Sequence, residues 1–474
     1  MIYMRYMNSC RFNPGIVRPR PSSSPSSPRL RRAGRLCLAL LCLLWFGAPS
    51  LRATDRYVSP AGTNDTIGGY TNWAGAATNI QSAVNVATNS ETVWLTSGTY
   101  YAQSSCAIQG AMVVITNAIT VRSFSGSYAN TVVNGNWPAY TNRIFLVSNA
   151  LAVVSGLTIT NGYMFTNANG AGVYIYDGML SNCLITGNTI TNIATGPLAD
   201  GNYYSGAGVW LTKGTVSHCI INGNRAVGST AWNPGIYTPY AASSPTAISN
   251  CIFAYNTNTG GGRAAVYLAA VGGAMNGCKI YGNFNCPGIQ VSYGAAMLTA
   301  CVISNNSAQG IITGDGILRS CLVVNNGTYG VSTYADRFVT LENCTFAGNG
   351  TYGIYINPSQ DTLKYKIENT ISYYNGIGGT QNWYATNVTT VFFTNCCEYP
   401  DAPGVNNITN PPLFVDTNSG NYRLSASSPC FNTGVNRGPM ANYYDLDGRA
   451  RIRYGTVDMG AYERINSGTI FVFH

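Results

Sequence analysis

One short phrase is written seven times through the middle of the chain, and it constrains the fold more than any other feature. Each copy, such as SNCLITGN or ENCTFAGN, ends in an asparagine that lies five residues after a cysteine. Units of this size cannot bury an apolar face alone, so they must stack on one another. The cysteines are Cys183, Cys219, Cys251, Cys278, Cys301, Cys321 and Cys344, and the asparagines are Asn188, Asn224, Asn256, Asn283, Asn306, Asn326 and Asn349.

A second phrase precedes the copies and places apolar residues at alternate positions, as in Val173 and Ile175 or Val209 and Leu211. Such alternation is typical of short β-strands. The intervals between successive cysteines are 36, 32, 27, 23, 20 and 23 residues, which indicates insertions at one corner of a regular turn. We therefore predict an all-β fold, a right-handed parallel β-helix (a solenoid) with an N-terminal capping helix and a small C-terminal β module.

The repeated residues have structural roles in this prediction. Parallel strands lie about 4.8 Å apart, so equivalent asparagine amides can hydrogen-bond along the stack, and asparagine also tolerates the left-handed backbone of a sharp turn. We expect the asparagine ladder to continue through Asn375 to Asp401. In-register β-carbons lie farther apart than the roughly 3.8 Å of a disulfide, so we predict free cysteines that fill the interior. For Cys397 and Cys430, outside the column, a disulfide and two free thiols are both open.

The charge of the chain is concentrated at its start. The formal net charge is +9, but the first 53 residues hold nine arginines and no acid, so the remainder is neutral. A neutral body has no general attraction to nucleic acid, and we exclude that partner. The basic stretch Arg29–Arg35, the apolar run Leu36–Phe46 and small residues at Ala48–Ala53 have the organisation of a secretory signal.

The apolar run is about 11 residues long, well short of the roughly 20 that span a bilayer. We therefore expect a secreted or cell-surface protein, with no stable membrane span after signal cleavage. A permanent membrane helix is the alternative interpretation of the same run.

Segments at both ends of the solenoid carry family resemblances. The strand Tyr57–Ser59, the helix Ile80–Val84 and the strand Gly98–Tyr100 resemble the start of β-helix proteins of the pectin-lyase-like superfamily. Residues Pro412–Glu463 resemble the choice-of-anchor Q module that follows β-helices in exported proteins, with Asn432 where that family carries aspartate. These resemblances imply a fold and export more firmly than an activity.

The repeats and resemblances together predict four segments. They are an N-terminal extension with signal peptide at 1–53, the β-helix at 54–400 with its cap at about 54–100, the C-terminal module at 401–465 and a tail at 466–474.

Acidic residues recur at similar offsets in three successive rungs. Enzymes that cleave acidic polysaccharides on this fold usually gather carboxylates around Ca²⁺ and use a nearby basic residue to remove a sugar proton. Ca²⁺ is the one cofactor that this pattern suggests, with Asp336 and Asp361 as ligand candidates. The alternative is a solvated row of turn residues paired with basic neighbours. The catalytic candidates are Asp315, Asp336, Arg337, Asp361 and Lys364, with Lys366 in the same stretch.

The turn formed by Asp445, Asp447 and Gly448 offers a similar choice. A calcium loop needs more oxygen ligands than this short run supplies. We therefore favour ion pairs that lock a terminal hairpin, made by Arg449, Arg451, Asp458 and Glu463.

The long insertions and neighbouring strands are rich in aromatic residues. Flat rings stack on sugar faces, although they also shield the flank of a solenoid. We predict a monomeric protein that binds polysaccharide or a cell-surface glycan without catalysis. The alternative is a polysaccharide lyase or glycoside hydrolase acting along the edge of the β-helix. The carbohydrate-binding candidates are Tyr203, Tyr204, Trp210, Trp232, Tyr237 and Tyr240.

Overall fold

The computed structural model confirms the predicted fold class: the chain winds into a right-handed parallel β-helix. Residues from Ala53 onward form one compact unit. The predicted signal segment and tail lie outside the described residues. The structure describes residues 54–104, 110–165, 169–192, 204–240, 246–260, 262–269, 272–292, 296–333, 339–357, 365–386 and 391–465.

Each regular rung contributes one strand to each of three faces, which we call faces 1, 2 and 3 in the order in which the chain visits them. Faces 1 and 2 join into one 23-stranded sheet, and face 3 is a 12-stranded sheet. Face 1 consists of β4 (Ala111–Ile115), the first part of β7 (Arg143–Ser155), the first part of β10 (Val173–Ser181), β14 (Val209–Leu211), β19 (Ile236–Thr238), β23 (Val266–Leu268), β26 (Ile289–Val291), β29 (Ile311–Thr313), β32 (Val331–Thr333), β35 (Ile354–Ile356) and β38 (Trp383–Ala385).

The other two faces run parallel to the first. Face 2 consists of β1 (Arg56–Val58), β2 (Thr92–Leu95), β5 (Thr120–Ser123), the second parts of β7 and β10, β15 (Gly214–Ser217), β20 (Thr246–Ser249), β24 (Ala274–Asn276), β27 (Ala296–Thr299), β30 (Gly316–Arg319), β33 (Val339–Glu342), β36 (Tyr365–Glu368), β39 (Val391–Thr394) and β41 (Gly404–Val405). Face 3 consists of β3 (Gly98–Tyr101), β6 (Thr131–Asn134), β8 (Thr158–Thr160), β11 (Leu184–Thr186), β16 (Ile220–Asn222), β21 (Ile252–Ala254), β25 (Lys279–Tyr281), β28 (Val302–Ser304), β31 (Leu322–Val324), β34 (Thr345–Ala347), β37 (Ile371–Tyr373) and β40 (Cys397–Glu398).

Smaller elements decorate this frame. Asn79 caps the helix α1 (Ile80–Val86) by accepting hydrogen bonds from the backbone of Gln81 and Ser82. Among the described residues, no helix combines the length and apolarity that a bilayer crossing requires. The remaining strands are β9 (Tyr163–Phe165), β12 (Thr189–Thr191), β17 (Arg225–Val227) and β22 (Thr257–Asn258) in one parallel sheet, β13 (Tyr204–Ser205) with β18 (Ala231–Trp232), and the antiparallel pair β42 (Phe414–Asp416) and β43 (Asn421–Leu424).

Asparagine side chains form one hydrogen-bonded ladder beside face 3. The amide Nδ2 of Asn224 donates to Oδ1 of Asn256 at 3.1 Å and to the carbonyl of Ile185 at 3.0 Å. Its own Oδ1 accepts from the backbone N and from Nδ2 of Asn188, both at 3.0 Å. The same bonds repeat rung by rung to Asn375, so each buried amide is satisfied by its neighbours.

The end of the ladder differs from the prediction. Asn375 donates to Asn382, seven residues later, and Asn382 in turn donates to the carbonyl of Tyr399. Asp401, the expected last member, is exposed. The residue in the left-handed conformation is also not the ladder asparagine itself but the residue before it, as at Gly187. The chain turns at this residue, and the following asparagine side chain then points along the stack.

The cysteines of the repeat are buried and free, and they stand at the corner between faces 2 and 3. They are also weak hydrogen-bond partners: the thiol of Cys251 donates to the carbonyl of Ser249, and its sulfur accepts from the backbone N of Cys219. In a later rung Thr370 replaces cysteine and makes the same two contacts through its hydroxyl. The column therefore needs a small side chain that both donates and accepts.

The residue before each column position adopts the left-handed conformation and lies at the same corner. In four successive rungs this corner residue binds a backbone carbonyl of the C-terminal segment, residues 401–465, at 2.9 to 3.2 Å. The pairs are Ser320 with Tyr444, Asn343 with Asp458, Asn369 with Val435 and Asn395 with Thr433.

The C-terminal segment covers the outer surface of face 3 with apolar side chains. One cluster joins Leu322, Val324 and Ala347 to Tyr422 and Tyr462. A second cluster contains Ile371, Tyr373, Cys397, Leu424, Cys430 and Met459. Cys397 and Cys430 are buried there as free thiols in contact with each other.

The ladder generates a prediction about stability. Replacing Asn224 by Ala should lower the free energy of unfolding by about 3 kcal/mol or more, because the amide of Asn188 loses its buried acceptor and the carbonyl of Ile185 its donor. Urea unfolding followed by circular dichroism measures the loss.

Asn222 is the matched control for this substitution. It lies two residues earlier on the outer side of face 3, and its Oδ1 has no hydrogen-bond partner among the described residues. Asn222→Ala should change the unfolding free energy by less than about 1 kcal/mol. Equal effects of the two substitutions would contradict the structural role of the ladder.

Candidate functional site

One column of outward-facing residues runs along the whole of face 1. Strand register places Tyr174, Trp210, Tyr237 and Tyr267 in consecutive rungs. The column continues through Gln290, Ile312 and Ser332 and ends in Tyr355 and Tyr384. Residues more than 200 positions apart are therefore presented in one line on a single surface.

The first aromatic group of this column, Tyr174 to Tyr267, is tightly stacked. Ring centroids are separated by 5.9 Å between Tyr174 and Trp210, 4.5 Å between Trp210 and Tyr237 and 5.0 Å between Tyr237 and Tyr267. The guanidinium of Arg143 lies 4.9 Å from the ring centre of Tyr174. Two of the predicted carbohydrate-binding residues, Trp210 and Tyr237, are thus brought together.

Burial limits what this first group can contact. Trp210 is only 5% exposed, and its Nε1 donates to Thr212. Burial also raises the pKa of Tyr237 well above its ordinary value, aided by neighbouring Tyr267. These rings chiefly pack against one another, which is the shielding role that the sequence left open.

The other predicted aromatic residues lie apart from this column. Trp232 is on β18 and is covered on one side by the guanidinium of Arg263, 4.0 Å from its ring centre. Tyr240 is 59% exposed at the end of a described stretch. Tyr204 lies on β13, and Tyr203 is outside the described residues.

The second aromatic group was missed by the sequence reasoning. Tyr329, Tyr352, Tyr355 and Tyr384, which we call the tyrosine platform, surround one another on face 1 with Tyr355 at the centre. The ring of Tyr355 is nearly parallel to Tyr329 at 4.5 Å and to Tyr384 at 5.2 Å, and Tyr352 lies 5.9 Å away. A signal was present, because the sequence GTYG directly follows two successive ladder asparagines and places a tyrosine three residues after each.

The tyrosine platform is open to solvent. Tyr384 is 39% exposed, and the other three rings are partly exposed. Partial burial and the neighbouring phenols raise the pKa of Tyr355. It offers flat apolar faces edged by hydroxyl groups that can donate and accept hydrogen bonds.

Of the five predicted catalytic residues, Asp315 belongs to the described part of the chain. Asp315 is half-buried in the link between β29 and β30. Asp336, Arg337, Asp361 and Lys364 lie outside the described residues, so the catalytic and calcium sites stay predictions. Within the described residues, no three His, Cys, Asp or Glu side chains form a group able to hold a metal ion.

Lys366 belongs to an ion-pair network at the edge of face 2. Its Nζ lies 2.8 Å from a carboxylate oxygen of Glu368 and 3.6 Å from one of Glu342. Glu342 also pairs with Arg319, and Glu368 accepts two hydrogen bonds from Arg437 of the C-terminal segment. These charges therefore attach the C-terminal segment to the solenoid.

The carboxylates of the Asp445 turn are occupied by the protein itself. Asp445 accepts hydrogen bonds from the backbone N of Asp447, Arg449 and Glu463. Both oxygens of Asp447 pair with Arg423, and one of them also pairs with Arg449. This arrangement matches the ion-pair interpretation.

The lock predicted for this region is built around a buried arginine. Arg451 is 1% exposed and lies 3.2 Å from a carboxylate oxygen of Glu463. Burial raises the pKa of Glu463 to about 9, opposed by the charge of Arg451. Asp458 accepts hydrogen bonds from the backbone N of Asn432 and Arg464.

Glu398 is a buried carboxyl group at the last rung. Strand register places it in the interior column of face 3, after Phe346 and Ser372. Burial raises its pKa to about 8, and the charge of Asp401 adds to the effect. Glu398 is therefore protonated at neutral pH.

Comparisons with known proteins agree with this architecture. A family model described as the right-handed β-helix region matches residues 234–396. No curated protein sequence matches the chain.

Three of the solved structures that resemble this chain are named as a pectate lyase, a mannuronan C-5 epimerase and a rhamnogalacturonan lyase. Pectate lyase Pel9A is 14% identical, with a TM-score of 0.48 over 86% of this chain and 96% of that one. The A-module of Azotobacter vinelandii mannuronan C-5 epimerase AlgE4 is 13% identical, with a TM-score of 0.44 over 69% and 91%. A rhamnogalacturonan lyase is 10% identical, with a TM-score of 0.43 over 77% and 91%. Likenesses at this level carry no argument about activity.

The raised pKa of Glu398 generates a prediction about pH. The folded protein retains a proton that the unfolded chain releases near the ordinary pKa of 4.5, so stability should fall as pH rises from about 4.5 to about 8. Glu398→Gln should remove this contribution, roughly 3 to 5 kcal/mol across the window. Unfolding free energies at several pH values give the dependence of stability on pH for the wild type and for Glu398→Gln.

Asp416→Asn is a control for this measurement, since Asp416 is exposed and its pKa is lowered by hydrogen bonds from Ser419. It should leave the slope between pH 5 and pH 8 intact. A wild-type slope retained in Glu398→Gln would show that Glu398 does not bind the proton.

Proposed function

We propose that this chain is an exported protein that binds polysaccharide along face 1, with the tyrosine platform as its main contact. The observation that supports this most is the platform itself: four partly exposed phenol rings packed side by side in the line of the solenoid axis. Rings of this kind stack on the apolar faces of sugars, and their hydroxyls bond sugar hydroxyls.

A regular array suits a polymer better than a small molecule. Tyr355 and Tyr384 come from consecutive rungs of one column. Tyr329 lies in the turn before β32 and Tyr352 in the turn before β35, and both flank this column. Successive sugars of an extended chain therefore meet similar rings in turn. The stretch Gln290, Ile312 and Ser332, which lacks aromatic residues, separates the platform from the buried first group.

The remaining parts of the proposal come from the sequence. The signal-like segment at 1–53 supports secretion or surface display. The resemblance of residues 401–465 to choice-of-anchor Q modules agrees with export, and the packing of this segment on face 3 leaves face 1 uncovered by it.

Replacing Tyr355 and Tyr384 together by Ala tests the proposal. Loss of two stacking rings, each contributing about 0.5 to 1.5 kcal/mol, should weaken polysaccharide binding roughly tenfold. Affinity electrophoresis in gels containing acidic or neutral polysaccharides measures the change. Tyr101→Ala, which removes a 55% exposed tyrosine from the end of β3 on face 3, is the matched control and should bind like the wild type.

Equal retardation of the double variant and the wild type would remove the platform from the proposal. The same incubations, with and without Ca²⁺, should yield no new reducing or unsaturated sugar ends. Their appearance would favour the lyase or hydrolase alternative and direct attention to Asp315 and its neighbouring rungs.

A further inference from the structure

A cleft of about 770 Å³ lies where the C-terminal segment stops covering the solenoid. One wall is the corner between faces 2 and 3 in the two rungs that carry Asn276, Lys279 and Thr299. The other wall is the turn at Tyr444 to Gly448 in the C-terminal segment. The cleft is on a different side of the solenoid from the tyrosine platform, which belongs to face 1.

The corner residue of each rung, which precedes the cysteine position, explains why the cleft is open. In four later rungs the corner residue carries a hydroxyl or an amide that binds a carbonyl of the C-terminal segment, as Ser320 binds Tyr444. At the two rungs of the cleft the corner residues are Gly277 and Ala300, which have no polar side chain. The segment is therefore attached beyond the cleft and released from the solenoid along it.

The acidic groups that line the cleft already have partners within the protein. Three backbone N–H groups occupy Asp445, and Asp447 is shared by Arg423 and Arg449. The carboxylates therefore hold the far wall in shape, and the charges of Arg423 and Arg449 offset theirs. Arg423 also lies flat over Tyr462, 4.7 Å from its ring centre, which fixes the guanidinium in this wall.

Lys279 is the uncompensated charge of the cleft. It is exposed on β25, and its ammonium makes no ion pair or hydrogen bond with the described residues. Its neighbours in the outward column of face 3 are apolar, Ile252 before it and Val302 after it. A cation at the rim of an otherwise neutral cleft attracts an anionic ligand.

Uncharged groups beside Lys279 suit a sugar. The ring of Tyr444 is 62% exposed at the mouth of the cleft, and the side chains of Asn276 and Thr299 stand in the opposite wall. A ring face, an amide, a hydroxyl and an ammonium together match a sugar that carries both hydroxyls and a carboxylate.

We propose that this cleft is a second glycan site, which binds a uronic-acid residue of an acidic polysaccharide with its carboxylate on the ammonium of Lys279. The choice of a glycan rests on the proposed function, and the cleft adds the preference for an acidic one. Lys279 selects the charge, whereas Tyr444, Asn276 and Thr299 contact the sugar ring.

Isothermal titration with a trigalacturonate, and with its fully methyl-esterified form as the uncharged probe, tests this site in the full chain. Lys279→Gln should weaken binding of the acidic trimer about tenfold. It should leave binding of the ester unchanged, because the ester has no carboxylate that could pair with the ammonium of Lys279. Lys279→Arg should restore most of the affinity. Arg225→Gln, which removes an exposed arginine on β17, is the matched control and should bind like the wild type.

The tyrosine double variant separates this site from the platform. In the Tyr355→Ala, Tyr384→Ala background, the effect of Lys279→Gln on the acidic trimer should persist. If the tyrosine double variant loses binding and Lys279→Gln binds like the wild type, the cleft proposal is overturned and the proposed function is retained. Loss through Lys279 alone overturns the platform and retains the cleft. Absence of binding to either probe, or equal losses in Lys279→Gln and Arg225→Gln, overturns the cleft.

Discussion

The hydrogen bonds that join each asparagine to the next rung are the interaction on which the rest of this structure depends. From Asn224 to Asn375, each ladder Oδ1 accepts from the backbone N and the Nδ2 of the preceding asparagine, and each Nδ2 reaches both the following asparagine and a backbone carbonyl. A slip by one residue would leave several buried polar groups without partners, at a cost of about 1 to 3 kcal/mol for each. The ladder therefore sets the register of consecutive rungs, while intervening loops vary freely in length.

Register converts repetition in the sequence into surfaces. Because outward positions coincide from rung to rung, one residue type at one position becomes a line along the solenoid. Face 1 uses this for aromatic residues, buried at Trp210 and open at Tyr384. The corner beside the cysteines uses it for polar groups that hold the C-terminal segment, and where the corner residues become Gly277 and Ala300 that contact ends and a cleft begins.

Several of the scarce charges of the body attach the C-terminal segment. Lys366 pairs with Glu342 and Glu368, Glu368 also pairs with Arg437, and Asp447 pairs with Arg423 and Arg449. Lys279, by contrast, lines the cleft with no ion-pair partner among the described residues. Glu398 differs in another way, since burial holds it protonated inside the last rung.

The sequence by itself determined the rungs, the two structural columns and the fold, because the spacing of Cys183 and Asn188 is local and recurs in every unit. It also indicated aromatic binding residues, with Trp210 on a strand and Tyr237 in a long insertion. Only the tertiary structure decided that Trp210 is buried, that Tyr329 and Tyr384 both stack on Tyr355 although 55 residues separate them, and that the ladder ends at Asn382. The physical reason is that exposure and meeting depend on loop lengths and on the C-terminal segment, which act through distant contacts that no local pattern encodes.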